Sequence, residues 1–202
     1  NQKINMKAII LASGIGKRLM PLTKETPKTL IKINGISILE RLIRSLVENN
    51  VKDIVITTGP FEEKIKALVK NKFPEVSVTY VHNPLYDKTN YIYSLWLAKE
   101  AVKDEDVILL HGDLVYEPKL IQNIVGQNLT CGLVKREGPI PEKDFKARIK
   151  NGLISEVGVN VFGEDARFFL PMYKILKGDF AKWLDKMGEF IKEEKMNDYA
   201  EN

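Results

Sequence analysis

Residues 7–30 read KAIILASGIGKRLMPLTKETPKTL, and the fold follows from how this stretch is read. The apolar run Ala8–Leu11 ends abruptly at Ala12–Ser13–Gly14–Ile15–Gly16. A buried strand that runs into a loop of small residues presents backbone N–H groups to an anion. Lys17, Arg18 and, behind Pro27, Lys28 add the positive charge that a polyphosphate needs. The stretch therefore reads as a grip for a nucleoside triphosphate. Two familiar grips are excluded: Leu19 stands where G-x-G-x-x-G needs its third glycine, and G-x-x-x-x-G-K-[ST] does not occur. On the glycines alone, a strand followed by a plain turn with solvated cations accounts for the residues equally well.

Outward from this stretch, the chain alternates strand and helix patterns. Asn34–Gly35 marks a turn, after which Ile38, Leu39, Leu42, Ile43, Leu46 and Val47 recur at helical spacing. Asp53–Thr57 and Val76–Val81 read as strands, and Glu62–Lys72 between them as an amphipathic helix. Tyr91–Val102 reads as a helix and Val107–Leu110 as a strand that ends at His111–Gly112–Asp113. This alternation predicts an α/β fold: a mostly parallel, Rossmann-like sheet with helices on both faces. Ligands of such sheets sit beyond the carboxyl ends of the strands, where the glycine loop and Asp113 both fall. The second half changes character. Phe145–Ile149 and Leu153–Val157 flank the turn Lys150–Asn151–Gly152, Phe168–Tyr173 is extended, and Asp179–Lys195 carries apolar residues at helical spacing. It predicts a small hairpin and helix lobe over the carboxyl edge of the sheet. The expected organisation is a single domain over 1–202, with a nucleotide-binding core at 1–130 and an acceptor-binding lobe at 131–202.

Composition narrows the class. The chain has 202 residues, 44% apolar and 29% charged, which suits a globular domain with a core. A net charge of +4 fits a phosphorylated substrate and is far too weak for nucleic acid. Cys131 is the single cysteine, so no internal disulfide forms, and a reducing cytoplasm is expected. It lies in the apolar run Thr130–Val134 and reads as core filling. No apolar stretch approaches the roughly 20 residues of a membrane span. Asn1–Asn5 reads as a short leader rather than a signal peptide.

The longer pattern L-A-S-G-I-G-K-R-L, then P-L-T, then P-K-T-L, resembles the signature of the nucleotidyltransferases that activate sugar phosphates and related phosphorylated alcohols. Ser13 stands where that family has Ala or Gly. The resemblance implies that Leu11, Ala12, Ser13, Gly14, Ile15 and Gly16, with Lys17, hold the base and phosphates. It gives Arg18 the leaving pyrophosphate and Lys28 the charge at the reacting phosphorus. Asp113 follows a buried strand in V-I-L-L-H-G-D, and a carboxylate there can ligate Mg²⁺ or serve as a turn or cap residue. The resemblance selects the metal role for Asp113, and by position assigns Glu201, with Asp198 second, as the other ligand. The family continues past that point with further structure, which leaves open a longer or fused polypeptide, and a homo-oligomer is open too. His111 reads as structural, since no Ser or Cys nucleophile pattern stands near it.

The segment His82–Trp96, HNPLYDKTNYIYSLW, resembles the branch that contains choline-phosphate and 2-aminoethylphosphonate cytidylyltransferases. Thr89, Asn90 and Ser94 offer groups that can read a pyrimidine edge, Asn90 doubling as a helix cap. Tyr91 and Tyr93, with Tyr173 from the run Phe168–Tyr173, are the expected acceptor contacts, because aromatic faces bind organic ammonium groups. Trp96 reads as core at least as well. Asp144 and Lys146 read as a surface charge cluster. The expected reaction joins CMP from CTP to a small amino-alkyl phosphate or phosphonate. A sugar-1-phosphate nucleotidyltransferase is the alternative, and a nucleotide-binding regulatory domain a more distant one.

Overall fold

The computed structural model describes residues 6–201. Strand β1 (Met6–Ala12) is buried almost throughout, as the apolar run requires. A two-residue hairpin, β2 (Lys32–Ile33) and β3 (Ile36–Ser37), turns at Asn34 and Gly35, both at positive φ. Helix α1 (Ile38–Glu48) starts there, capped by Ser37 Oγ, which accepts from the Glu40 N–H at 3.2 Å. Strand β4 (Asp53–Thr58), α2 (Glu62–Lys72), β5 (Ser77–His82), α3 (Tyr91–Leu97), β6 (Asp106–His111) and α4 (Pro118–Val125) follow in alternation. The second half contains β7 (Cys131–Val134), β8 (Lys146–Lys150), β9 (Leu153–Gly158), β10 (Ala166–Ile175) and α5 (Lys177–Lys192).

The main sheet runs β5-β4-β1-β6-β10-β8-β9, with β7 also pairing β10. The first four strands are parallel, with Ile10 opposite Ile56 on one side and Leu110 on the other. Alternate residues of β1 point to opposite faces and so enter different cores. Ala8, Ile10 and Ala12 pack with Leu39, Leu42 and Ile43 of α1 and Ile121 of α4. Ile9 and Leu11 pack with Leu95 of α3 and with Phe180 and Met187 of α5. No helix among the described residues is long and apolar enough to cross a membrane.

Three features depart from the sequence reading. The helix expected over Tyr91–Val102 breaks after Leu97, and Lys99–Val102 tightens into a 3₁₀ turn whose Ala101 N–H reaches the Ala98 carbonyl. The extended stretch at Phe168–Tyr173 belongs to a ten-residue strand, β10, which carries a register shift at Pro171 where the ladder has no donor to use. Lys146 is no surface charge: it is 2% exposed, its ammonium donates to the carbonyls of Glu142 (2.8 Å) and Asp144 (2.9 Å), and it lies over the Phe162 ring. The two carbonyl acceptors and the ring satisfy a buried cation without a carboxylate. Asn151 and Gly152, both at positive φ, form the expected turn of the β8–β9 hairpin. Half-buried Cys131 packs against the core.

Candidate active site

The strand order reverses between β1 and β6, and a cavity of about 190 Å³ opens at their carboxyl ends. Crevices of open α/β sheets form at such switch points because the connections leave the two strands in opposite directions. Leu11, Ala12, Ser13 and Gly14 line the cavity from β1, and His111, Gly112 and Asp113 from β6. Lys28 and Thr29 close one side, and Tyr86, Thr89, Asn90 and Tyr91 the other.

The loop after β1 is held from beneath. Ala12 N–H donates to Thr57 Oγ1 at 3.2 Å. Ser13 and Ser94 share a hydroxyl hydrogen bond of 2.7 Å, and Asn83 Nδ2 donates to Ser94 Oγ at 2.9 Å and to Thr89 Oγ1 at 3.0 Å. Ser94 is fully buried and lies outside the lining, so its hydroxyl fastens the loop, and Ser13 has a partner that Ala or Gly would lack. Two glycines that the motif reading passed over fit the loop closely. A Cβ on Gly59 would stand 2.2 Å from the Ser13 carbonyl oxygen, and one on Gly112 would stand 2.7 Å from that of Leu11. Their signal in the sequence is a glycine at the end of a strand, in T-T-G-P and H-G-D.

Lys28 and Asp113 meet across the mouth as an ion pair of 2.5 Å, although 85 residues separate them. Pro27 places Lys28 at the start of a 3₁₀ turn that ends at Leu30. Ile15, Gly16, Lys17 and Arg18 lie outside the lining. Gly16, at φ 71°, turns the chain away, its carbonyl held by Thr23 Oγ1 at 2.9 Å, and Lys17 and Arg18 are exposed in the next 3₁₀ turn.

The tyrosines expected to contact the acceptor divide. Tyr91 lines the cavity, its ring edge-on to His111 with centroids 5.0 Å apart. Tyr93 does not; it stacks on Trp96 at 6.4 Å. Tyr173 is buried, and both its hydroxyl and that of Tyr91 donate to the Glu201 carboxylate. Burial first, and Glu201 second, push both phenols far above their ordinary pKa, so they stay protonated donors. Burial pulls His111 below its ordinary value, against the opposing influence of Asp113 and Glu201. Among the described residues its Nε2 and Thr29 Oγ1 have no hydrogen-bond partner, although both atoms are buried, and both residues line the cavity. His111 is thus part of the site rather than only a structural residue of β6.

Among the described residues no three His, Cys, Asp or Glu side chains cluster as a metal site. Asp113 is nevertheless a carboxylate at the cavity with its side chain 38% exposed, and Mg²⁺ commonly takes one or two carboxylates with substrate phosphates completing its shell.

The nucleotidyl transferase family model matches residues 7–131. The chain belongs to this family. The match takes in β1, the loop, Lys28 and Asp113. Among curated members, the bifunctional IPC transferase and DIPP synthase of Aquifex aeolicus is 37% identical over 170 residues, which cover 81% of this chain and 38% of that protein. The choline-phosphate cytidylyltransferase of Streptococcus pneumoniae is 42% identical over 103 residues, covering 51% of this chain and 43% of the relative. The chain thus spans less than half the length of either. The solved CTP:phosphocholine cytidylyltransferase of Streptococcus pneumoniae superimposes with a TM-score of 0.76 at 22% identity, over 98% of this chain and 82% of the other, and shows the shared family fold.

Proposed function

We propose that this chain transfers CMP from CTP to a small amino-alkyl phosphate or phosphonate, of the phosphocholine or 2-aminoethylphosphonate type, and releases pyrophosphate. The observation that carries the reading is the Lys28–Asp113 pair at the mouth of a cavity floored by the loop Leu11–Gly14. Family membership and the cytidylyltransferases among its relatives support it. The cytosine end faces Thr89 and Asn90, whose amide and hydroxyl groups can read a pyrimidine edge. The phosphates run over the backbone of Ala12–Gly14 toward Lys28. An ionised acceptor oxygen forms a bond to the α-phosphorus as the α–β bridging bond breaks, and the electron pair leaves with pyrophosphate. The attacking oxygen carries no proton at neutral pH, so no general base is required. Lys28 offsets charge at the crowded phosphorus, and Arg18, exposed beside the loop, receives the departing pyrophosphate. Asp113 would hold a divalent cation, Mg²⁺ in this reading, which when bound neutralises phosphate charge. Tyr91 supplies the acceptor wall, and Tyr173, outside the cavity lining, braces it through their shared bonds to Glu201.

The test is pyrophosphate release with Mg²⁺, crossing four nucleoside triphosphates with phosphocholine, 2-aminoethylphosphonate and glucose 1-phosphate. Release with CTP and an amino-bearing acceptor is expected. Release only with the sugar phosphate overturns the reading.

A further inference from the structure

Family resemblance gives Glu201 to the metal, but its surroundings give it other work. One carboxylate oxygen accepts the hydroxyl of Tyr91 and the other that of Tyr173. Tyr91 belongs to α3 and touches His111 in the nucleotide cavity; Tyr173 belongs to β10 and packs on Trp183, with ring centroids 5.9 Å apart. Glu201 therefore ties the nucleotide half of the molecule to the later strands. The segment that carries it is held separately. The backbone N–H of Asn90, itself a cavity residue, donates to the Met196 carbonyl at 2.8 Å, and its side-chain Nδ2 donates to the backbone carbonyl of Asn197 at 3.3 Å. Trp183 Nε1 donates to the Ala200 carbonyl at 2.7 Å. Glu201 lies outside the lining of the cavity that Asp113 enters, and each of its oxygens already accepts a hydrogen bond from a largely buried tyrosine hydroxyl, which a metal ion would have to share. Asp113 faces no such conflict, since its bond to Lys28 lies at the cavity mouth.

We infer that Glu201 is a positioning residue that fixes Tyr91 as the acceptor wall, with Tyr173 bracing it from outside the lining, and takes no part in holding the metal. The inference rests on the proposed cytidylyl transfer. Glu201→Gln is compared with wild type in two measurements. Mn²⁺ binding in the presence of CTP is followed by electron paramagnetic resonance, and KM is determined separately for CTP and acceptor. The expected result is Mn²⁺ affinity and CTP KM within about twofold of wild type, with acceptor KM raised about tenfold for the lost charge-assisted bonds. The Tyr91→Phe/Tyr173→Phe double variant, which keeps the carboxylate, should show the same split. Adding Glu201→Gln to it should cost nothing further, because one bridge is removed either way. A tenfold loss of Mn²⁺ affinity in Glu201→Gln, or an unchanged acceptor KM in both variants, overturns the inference. Should Glu201→Gln fail to fold, Glu201→Asp, whose shorter side chain cannot span both hydroxyls, is measured in its place for Mn²⁺ affinity and acceptor KM, with the same outcomes deciding. A wild-type protein that turns over no acceptor overturns the reaction itself, and the Mn²⁺ titration still decides whether Glu201 holds metal.

Discussion

Lys28 and Asp113 have opposite charges, yet neither has a second ion-pair partner among the described residues. In the proposed reaction, this pair exchanges its mutual contact for contacts to substrate. Lys28→Ala should lower turnover about a hundredfold or more, the scale of removing one preorganised charge donor, while the thermal midpoint barely moves because the pair is partly exposed. Pyrophosphate release and a thermal melt read the two effects. Gly59 acts at the same scale without touching substrate. A Cβ there would stand 2.2 Å from the Ser13 carbonyl oxygen, so Gly59→Ala must displace the loop, and about a hundredfold loss in kcat/KM is expected from a shift of this order. Circular dichroism should show the fold retained.

Elements position these residues through local chemistry. Helix α2 begins at Glu62, which accepts from Thr58 Oγ1 at the end of β4 and pairs with Lys66 at 2.5 Å. The hydrogen bonds from Lys66 and Thr58 hold the Glu62 carboxyl below its usual 4.5. A depressed folded-state pKa gives stability that is present above the unfolded value and is lost as pH falls through the folded one. Glu62→Gln should therefore be less stable than wild type at neutral pH, and the gap should close as pH falls below about 4.5, as read by urea unfolding across pH. The capped start of α1 was legible from the turn Asn34–Gly35 and the apolar spacing that follows. The early end of α3 was not. Tyr91–Val102 has helical spacing throughout, and the break after Leu97 depends on packing that buries Ala98 and Val102.

The whole molecule is joined where β10 runs antiparallel to β6, placing Tyr173 opposite Leu109. Phe169, 1% exposed, lies against Gly132 of β7, where a Cβ would stand 2.6 Å from its ring, and packs on Tyr173 with centroids 5.2 Å apart. Phe169→Ala should cost about 3–5 kcal/mol in unfolding free energy, as for other buried aromatic truncations. It should also raise acceptor KM more than CTP KM, because the cavity it leaves lies behind Tyr173 and not behind the β1 loop. Denaturant melts and steady-state kinetics separate the two.

By itself the sequence determined the α/β alternation, the loop after β1 and the strand-end position of Asp113. These features depend on local periodicity and on small residues at the end of an apolar run, which neighbours in the chain suffice to specify. Only the tertiary structure decided which of the named residues meet. It set Lys28 against Asp113, left Tyr93 and Arg18 outside the cavity lining, turned Ser94 onto Ser13, and buried Lys146 among carbonyls. It also spent both oxygens of Glu201 on tyrosines from different elements. Lys146 meets carbonyls two and four residues away, and Tyr173 lies 28 residues from Glu201, but the pairs Ser13–Ser94, Lys28–Asp113 and Tyr91–Glu201 are 81, 85 and 110 positions apart. Such contacts depend on strand order and helix packing, and the residue types along the chain do not encode which of several equivalent partners comes within reach.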